Sequence, residues 1–253
     1  MAKVISVANQ KGGVGKTTTS VNLSAALGLV GKRTVLIDVD PQGNATSGVG
    51  VDRRSLKFST YNMLVDDRAA QDVLMKTRFA NLSLLPSSLD LAAAELEIAD
   101  MKNRESRLKN SIAAIKADYD YIIIDCPPSL GLITANALCC SDTVLIPIQC
   151  EYYALEGLSQ LMNSVRRVKR MYNPFLDIEG VLLTMYDGRL NLTQQVAAEV
   201  KKYFPRKVFE TFIPRGVKLS EAPSYGMPVM YYDKNSKGAA AYTALAAEII
   251  AKE

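Results

Sequence analysis

Two lysines frame a glycine-rich turn in Lys11-Gly12-Gly13-Val14-Gly15-Lys16-Thr17-Thr18, between a β-branched run at 3–8 and a helical pattern beginning at 16. That combination of residue types is suited to holding phosphate. Gly12, Gly13 and Gly15 let the backbone take positive φ and come close to an anion, while the N–H groups of the loop, that of Val14 included, and the helix N-terminus present partial positive charge. Lys16 adds a full charge for the β- and γ-phosphates, the Thr17 hydroxyl is suited to ligating Mg²⁺, and Thr18 is suited to the α-phosphate. One departure from the usual G-x-x-x-x-G-K-[ST] pattern stands out: Gln10 occupies the place of the first glycine, and a second lysine, Lys11, opens the loop.

Two carboxylate-bearing strand ends fit the same chemistry. Asp125 closes the apolar run Tyr121-Ile122-Ile123-Ile124 and is expected to hold Mg²⁺ through water. Asp38 ends the run Thr34-Val35-Leu36-Ile37, and Asp40 follows two residues later in Asp38-Val39-Asp40-Pro41-Gln42-Gly43-Asn44. Asp40 is the candidate for orienting or deprotonating an attacking water, with Asp38 nearer the metal. The chain has no histidine, which excludes a histidine-based triad, a histidine metal site and a histidine pH switch.

These residues need a scaffold that brings several strand ends to one edge. Short β-branched runs at 3–8, 34–38, 82–85, 121–125, 143–148 and 180–184, with a weaker one near 208–213, alternate with helical patterns at 16–30, 89–98, 105–117, 131–140, 155–172, 192–203 and 239–251. Such alternation predicts an α/β fold: a single three-layer domain with a mostly parallel twisted sheet and helices on both faces. Several strands are apolar throughout, as strands covered on both sides must be. Pro and Gly gather where the strands end, and in an open α/β sheet that edge is where ligands bind.

With 253 residues the chain can bury about 70–75 % of its unfolded surface. Its 48 % hydrophobic and 22 % charged residues exclude collagen-like and disordered classes. Four cysteines, at 126, 139, 140 and 150, show no Cys-x-x-Cys spacing and are expected to be reduced thiols. No apolar run approaches a membrane span, and the chain enters a strand at once, so a cytoplasmic protein is expected. The net charge of +4 conceals an uneven distribution. Residues 1–150 carry 16 basic and 15 acidic side chains, whereas residues 166–218 carry 11 and 5. A basic last third admits two readings, solvated helix faces or a surface for the phosphate backbone of nucleic acid.

Taken together, Lys11-Gly-Gly-Val-Gly-Lys-Thr-Thr, Asp38-x-Asp40-Pro-Gln-Gly-Asn, Ile-Ile-Ile-Asp125-Cys-Pro-Pro-Ser and Cys150-Glu-Tyr-Tyr-Ala-Leu-Glu-Gly resemble the ParA/Soj chromosome-partitioning ATPases of the deviant Walker A superfamily. The likeness covers essentially the whole chain, including Ile213-Pro214-Arg215 and Leu219-Ser-Glu-Ala-Pro-Ser224. It implies an ATPase using ATP and Mg²⁺ in a homodimer that sandwiches the nucleotide, with Lys11 reaching into the partner's site. It also implies that Glu151 lies near nucleotide and interface, and that Pro214 and Arg215 flank adenine. Arg189 and Lys218 match basic positions that relatives use for DNA without sequence preference. A ParB/Spo0J-type centromere-binding partner and a cytoplasmic, nucleoid-associated location complete what the resemblance implies.

Three rival readings were open to the same residues. Thr184-Met185-Tyr186-Asp187 faintly echoes the Thr-Lys-x-Asp of guanine-binding relatives, but Met185 replaces the lysine. A MinD-like membrane-associated regulator of division-site placement needs a basic amphipathic tail, and the Ala-rich stretch 239–253 is expected to pack on the sheet instead. An iron–sulfur role for Cys126, Cys139 or Cys140 needs exposed thiols, whereas 139–140 read as a buried helix end. The loop's position at residue 11 leads to the expectation of one P-loop domain over 1–253 with no N-terminal helix-turn-helix, and Tyr152-Tyr153 are expected to be buried beside the sheet.

Overall fold

The computed structural model describes residues 1–151 and 156–252. Its centre is a seven-stranded sheet built from β1 (Lys3–Val7), β2 (Thr34–Asp38), β3 (Met75–Lys76), β4 (Leu82–Leu85), β5 (Tyr121–Asp125), β6 (Thr143–Gln149) and β7 (Asp177–Thr184), in the order β3-β4-β2-β5-β1-β6-β7. All neighbours are parallel except the short edge pair β3 and β4. The connecting helices are α1 (Lys16–Leu29), α2 (Asn44–Gly48), α3 (Thr60–Val65), α4 (Ala70–Val73), α5 (Leu91–Glu97), α6 (Arg107–Ile112), α7 (Leu132–Cys140), α8 (Glu156–Met171), α9 (Asn191–Tyr203), α10 (Val217–Glu221), α11 (Val229–Tyr232) and α12 (Lys237–Ile250).

Strand periodicity divides the core in two. On β1, β2 and β5, Val4, Val35, Ile37, Ile122 and Ile124 face a layer that includes α3, α5, α6, α7, α8 and α9. Ile5, Val7, Leu36, Tyr121 and Ile123, one residue out of phase, face α1, α11 and α12. Ile122, Ile123 and Ile124 are all fully buried, each stabilising the fold by about 1.5–3 kcal/mol. The same parity governs the strand ends. Asp38 is in phase with Leu36 and Asp125 with Ile123, so both carboxylates lie on the α1 side, and the register pairs Asp38 with Asp125 directly.

The expected α/β layering and six of the strands are present, but the weak strand at 208–213 is not one. Two isolated bridges, Val181 with Val208 and Tyr186 with Pro214, tie this segment to β7 and its exit. Between them the N–H groups of Glu210 and Thr211 donate to the Glu248 carboxylate of α12, at 3.0 and 3.1 Å, so they cannot continue a ladder. The C-terminal helix α12 buries Tyr242, Leu245, Ala246 and Ile249 in the α1-side core. The expectation for Tyr152-Tyr153 falls outside the described residues. No described helix is long and apolar enough to cross a membrane.

Candidate active site

The glycine-rich loop leaves β1 and delivers the chain into α1, with Gly13 at φ 75° and Gly15 at φ 88°. A side chain at Gly13 or Gly15 would be strained, and a Cβ at Gly12 or Gly13 would meet nothing within 4 Å. The loop therefore offers a concave, backbone-lined surface with room over its glycines. Its two rims are fastened to other strands. At its start, Asn9 donates to Pro147 O (2.7 Å) on β6 and accepts from Lys11 N (3.0 Å). At its far side, the Thr184 hydroxyl at the end of β7 donates to Val14 O at 2.8 Å.

The two lysines diverge. Lys16 is 7 % exposed and its ammonium donates to Lys11 O at 3.1 Å, closing the loop on itself. Burial lowers its pKa, opposed by the neighbouring acids Asp125 and Asp40, so an anion set on the loop would favour its charged form. Lys11 Nζ instead points outward to Glu151 Oε2 at 3.2 Å, with both side chains partly exposed. A surface pair of this kind stabilises by at most about 1 kcal/mol and exchanges readily for a stronger partner.

Asp125 is fully buried and accepts from the Thr17 hydroxyl (2.8 Å) and the Ser20 hydroxyl (2.8 Å). Burial, followed by the charge of neighbouring Asp38, pushes its pKa up, and burial raises that of Asp38 as well. Two adjoining acids in this setting disfavour double ionisation, which a nearby cation would relieve. Asp38 Oδ2 accepts from Thr46 N (2.8 Å) and Thr46 Oγ1 (2.7 Å), and its Oδ1 accepts from Asp40 N (3.1 Å). Asp38 thus lies beside Asp125 but is engaged in holding its own loop. Asp40 is 7 % exposed; its Oδ1 accepts from Gln42 N at 2.9 Å, while Oδ2 has no hydrogen-bond partner among the described residues. No group of three or more His, Cys, Asp or Glu side chains is arranged to hold a metal among the described residues, so a cation here needs oxygen ligands beyond the protein's own carboxylates.

Beside the loop, Gly15 and Thr18 open onto a cavity of about 300 Å³ whose far wall includes Pro214, Arg215, Gly216 and Met185. Pro214 and Arg215 are therefore adjacent to the loop in space although some 200 residues away in sequence. Asp187, the acid of the guanine-like echo, is bound by Arg189 at 2.7 and 2.9 Å, which holds its pKa down at about 2 and occupies the carboxylate. All four cysteines are buried, and burial pushes the Cys139 and Cys140 thiols up to about 12, disfavouring the thiolate that a metal ligand needs.

The two basic residues matched to DNA contacts lie on the surface, apart from this cluster of bonds, and both have acidic partners: Arg189 with Asp187 and Lys218 with Glu221 at 3.0 Å. Arg166, Arg167, Lys169, Arg170, Lys201, Arg206 and Arg215 are exposed and have no acidic partner among the described residues. Ser20, Thr46, Ser87, Asn9 and Thr184 are site residues that motif reading misses. For Ser20 a signal exists, since it lies three residues after Thr17 on the same helix and so shares its face. For Thr184 there is the strand phase it shares with Leu182.

A mostly parallel sheet with an inner strand, β1, that feeds a glycine-rich, double-lysine loop, flanked by a hydroxyl-bound strand-end carboxylate, defines a P-loop nucleotide-binding domain. Comparison with known proteins gives the family. A family model described as an AAA domain matches residues 2–178. The chain is 57 % identical over 251 residues to the sporulation initiation inhibitor protein Soj of Bacillus subtilis, covering 99 % of each chain. It is 50 % identical over 253 residues to the chromosome partitioning protein ParA of Myxococcus xanthus, covering all of this chain and 89 % of the relative. Among solved structures, a Mycobacterium smegmatis protein described as cobyrinic acid a,c-diamide synthase, with bound ATP analogue and magnesium, superposes with a TM-score of 0.86. It is 37 % identical, over 98 % of this chain and 93 % of that one. The chain belongs to the ParA/Soj family of chromosome-partitioning ATPases.

Proposed function

We propose that this protein is an Mg-ATP-dependent dimerising ATPase that binds double-stranded DNA without sequence preference and acts in chromosome or plasmid segregation with a ParB-type partner. The observation that carries the reading is the parting of the two lysines. Lys16 is turned into the loop, where it serves phosphates in the same chain, whereas Lys11 projects from the surface on a weak pair with Glu151. An exposed lysine at the edge of a phosphate loop is suited to neutralising charge across a subunit interface, as an arginine finger does. Glu151 would then exchange Lys11 for the nucleotide or the partner.

The residues present fit both ligands. The open surface over Gly12 and Gly13 admits phosphates, Val14 and Gly15 carry backbone N–H groups at the loop, and Thr18 opens toward the cavity next to Pro214 and Arg215, where an adenine would lie. Thr17 and Asp125 would hold Mg²⁺ from one side, Asp125 through water, with Asp38 on its outer hydration shell and the remaining ligands from phosphate oxygens and water. When bound, the ion neutralises charge developing on the phosphates. Asp40 keeps one carboxylate oxygen free to accept a proton from, or to orient, the water that attacks the γ-phosphate.

The DNA reading rests on the basic last third and on what relatives are named for. Exposed ion pairs are weak, so phosphates can compete for Arg189 and Lys218. An Arg189→Glu, Lys218→Glu double variant is expected to lose at least about tenfold in ATP-dependent DNA retention and to show a shallower salt dependence. Undiminished retention would move the DNA face elsewhere on the basic surface. A membrane-surface role is disfavoured because α12 spends its apolar face on α1 rather than presenting it. Liposome pelleting with ATP, set beside DNA co-sedimentation, separates the two readings.

A further inference from the structure

Asp40 is held by a frame of buried hydroxyls that no part of the phosphate loop supplies. Thr46 stands at its centre, fully buried on α2. Its Oγ accepts from Ser87 N at 3.0 Å and donates to Asp38 Oδ2 at 2.7 Å, so a donor on one side and an acceptor on the other fix the hydroxyl rotor. The Thr46 amide adds a second bond to the same oxygen at 2.8 Å. The other oxygen of Asp38 accepts the amide of Asp40 at 3.1 Å, and the Asp38 carbonyl accepts from the Thr60 hydroxyl at 2.9 Å. On its far side, the Asp40 carbonyl accepts from Ser87 Oγ at 2.6 Å and Gly43 N at 2.9 Å.

Asp40 is therefore pinned at its amide, its carbonyl and one carboxylate oxygen, and among the described residues nothing engages Oδ2. Two of the three backbone ties lead back to Thr46, the Gly43 amide being the exception. One runs through the Asp38 carboxylate; the other runs through Ser87, whose own amide is bound to the threonine hydroxyl. The frame joins the ends of β2 and β4 and the short helix α2, three elements that a motif search treats separately.

From this geometry we infer that Thr46 is a positioning residue for Asp40, its hydroxyl setting the Asp40 carboxylate for the attacking water by clamping Asp38 and Ser87 around it. The inference rests on the reading of Asp40 given above. Thr46 touches neither phosphate nor water in this scheme, so its effect belongs in turnover rather than in nucleotide binding. A misplacement of about 1 Å in a reacting group can cost on the order of a hundredfold in rate.

The test is steady-state ATP hydrolysis by the full chain with Mg²⁺, measured for Thr46→Val, Thr46→Ser and Asp40→Ala beside wild type, with thermal melting and nucleotide binding recorded for each. Valine keeps the shape and removes the hydroxyl; serine restores it. Thr46→Val is expected to lose about ten- to a hundredfold in kcat with KM within about twofold, and Thr46→Ser to recover to within about threefold of wild type. The inference is overturned if Thr46→Val turns over within twofold of wild type, if kcat and nucleotide binding fall together, or if the valine variant does not fold or serine does not restore turnover. The last results would make the hydroxyl a structural one. If Asp40→Ala itself hydrolyses ATP at the wild-type rate, the reading of Asp40 is what fails. If Asp40→Ala is inactive and Thr46→Val is not, only the role of Thr46 fails.

Discussion

Lys16→Ala is expected to abolish nucleotide binding at micromolar ATP while leaving the fold intact. Lys16 is buried, and its only hydrogen-bond acceptor among the described residues is the carbonyl of Lys11, a contact that closes the loop but does not support the sheet. Removing one partner from a buried, charge-assisted contact costs about 2–5 kcal/mol, or roughly 30- to 5000-fold in affinity. The variant also removes a cation that burial has already made costly to keep charged, so the free chain should melt near the wild-type temperature. Isothermal titration with ATP and a thermal melt check both parts. Binding within about threefold of wild type would contradict the assignment of the loop.

Asp40→Ala should separate binding from turnover. The backbone ties of Asp40 run through its amide and carbonyl, which alanine retains, and only the Gln42 amide loses an acceptor. The loop should hold its course and bind ATP. General-base or water-orienting groups contribute about 10²–10⁴ in rate, so phosphate release should fall by at least about a hundredfold while ATP affinity stays within a few-fold. A normal rate of phosphate release would assign the water to another group.

How far these residues can be read from sequence follows from where their bonds go. The P-loop is legible because glycines and lysines at fixed offsets between a strand and a helix have few other uses. Asp125 and Asp38 are legible as strand ends, and the two-residue phase of β2 and β5 even places them on the side of Thr17. What is not legible is the carboxylates' engagement. Nothing near Asp38 in sequence indicates that Thr46 takes up one oxygen and the amide of Asp40 the other, because α2 is a five-residue turn of helix with too little periodicity to detect. Thr184 and Pro214 approach the loop only through the order of the strands. The weak strand at 208–213 looks regular by its β-branched and aromatic residues, yet a single glutamate on α12 takes the two amides that a ladder requires.

Surface charge follows the same logic. Counting bases along the chain finds the excess in residues 166–218, but pairing is a matter of geometry. Arg189 and Lys218 each have an acid within 3.0 Å, whereas the four basic residues of α8 at 166, 167, 169 and 170 have none among the described residues. All four are exposed, Arg166, Arg167 and Arg170 on the side of α8 away from the buried Leu158, Leu161, Val165 and Val168 and Lys169 on its flank, and they would supply field to any phosphate backbone drawn to this end of the chain.

The central claim is that ATP, held by Lys16 in one chain and reached by Lys11 from another, assembles the form that holds DNA. DNA retention with ATP and with ADP, compared between wild type and Lys11→Ala, tests it most directly. Retention by wild type with ATP alone, and its loss in Lys11→Ala although that variant still binds ATP, is the predicted result. Retention by Lys11→Ala equal to wild type, or equal retention with ADP and ATP, would contradict it.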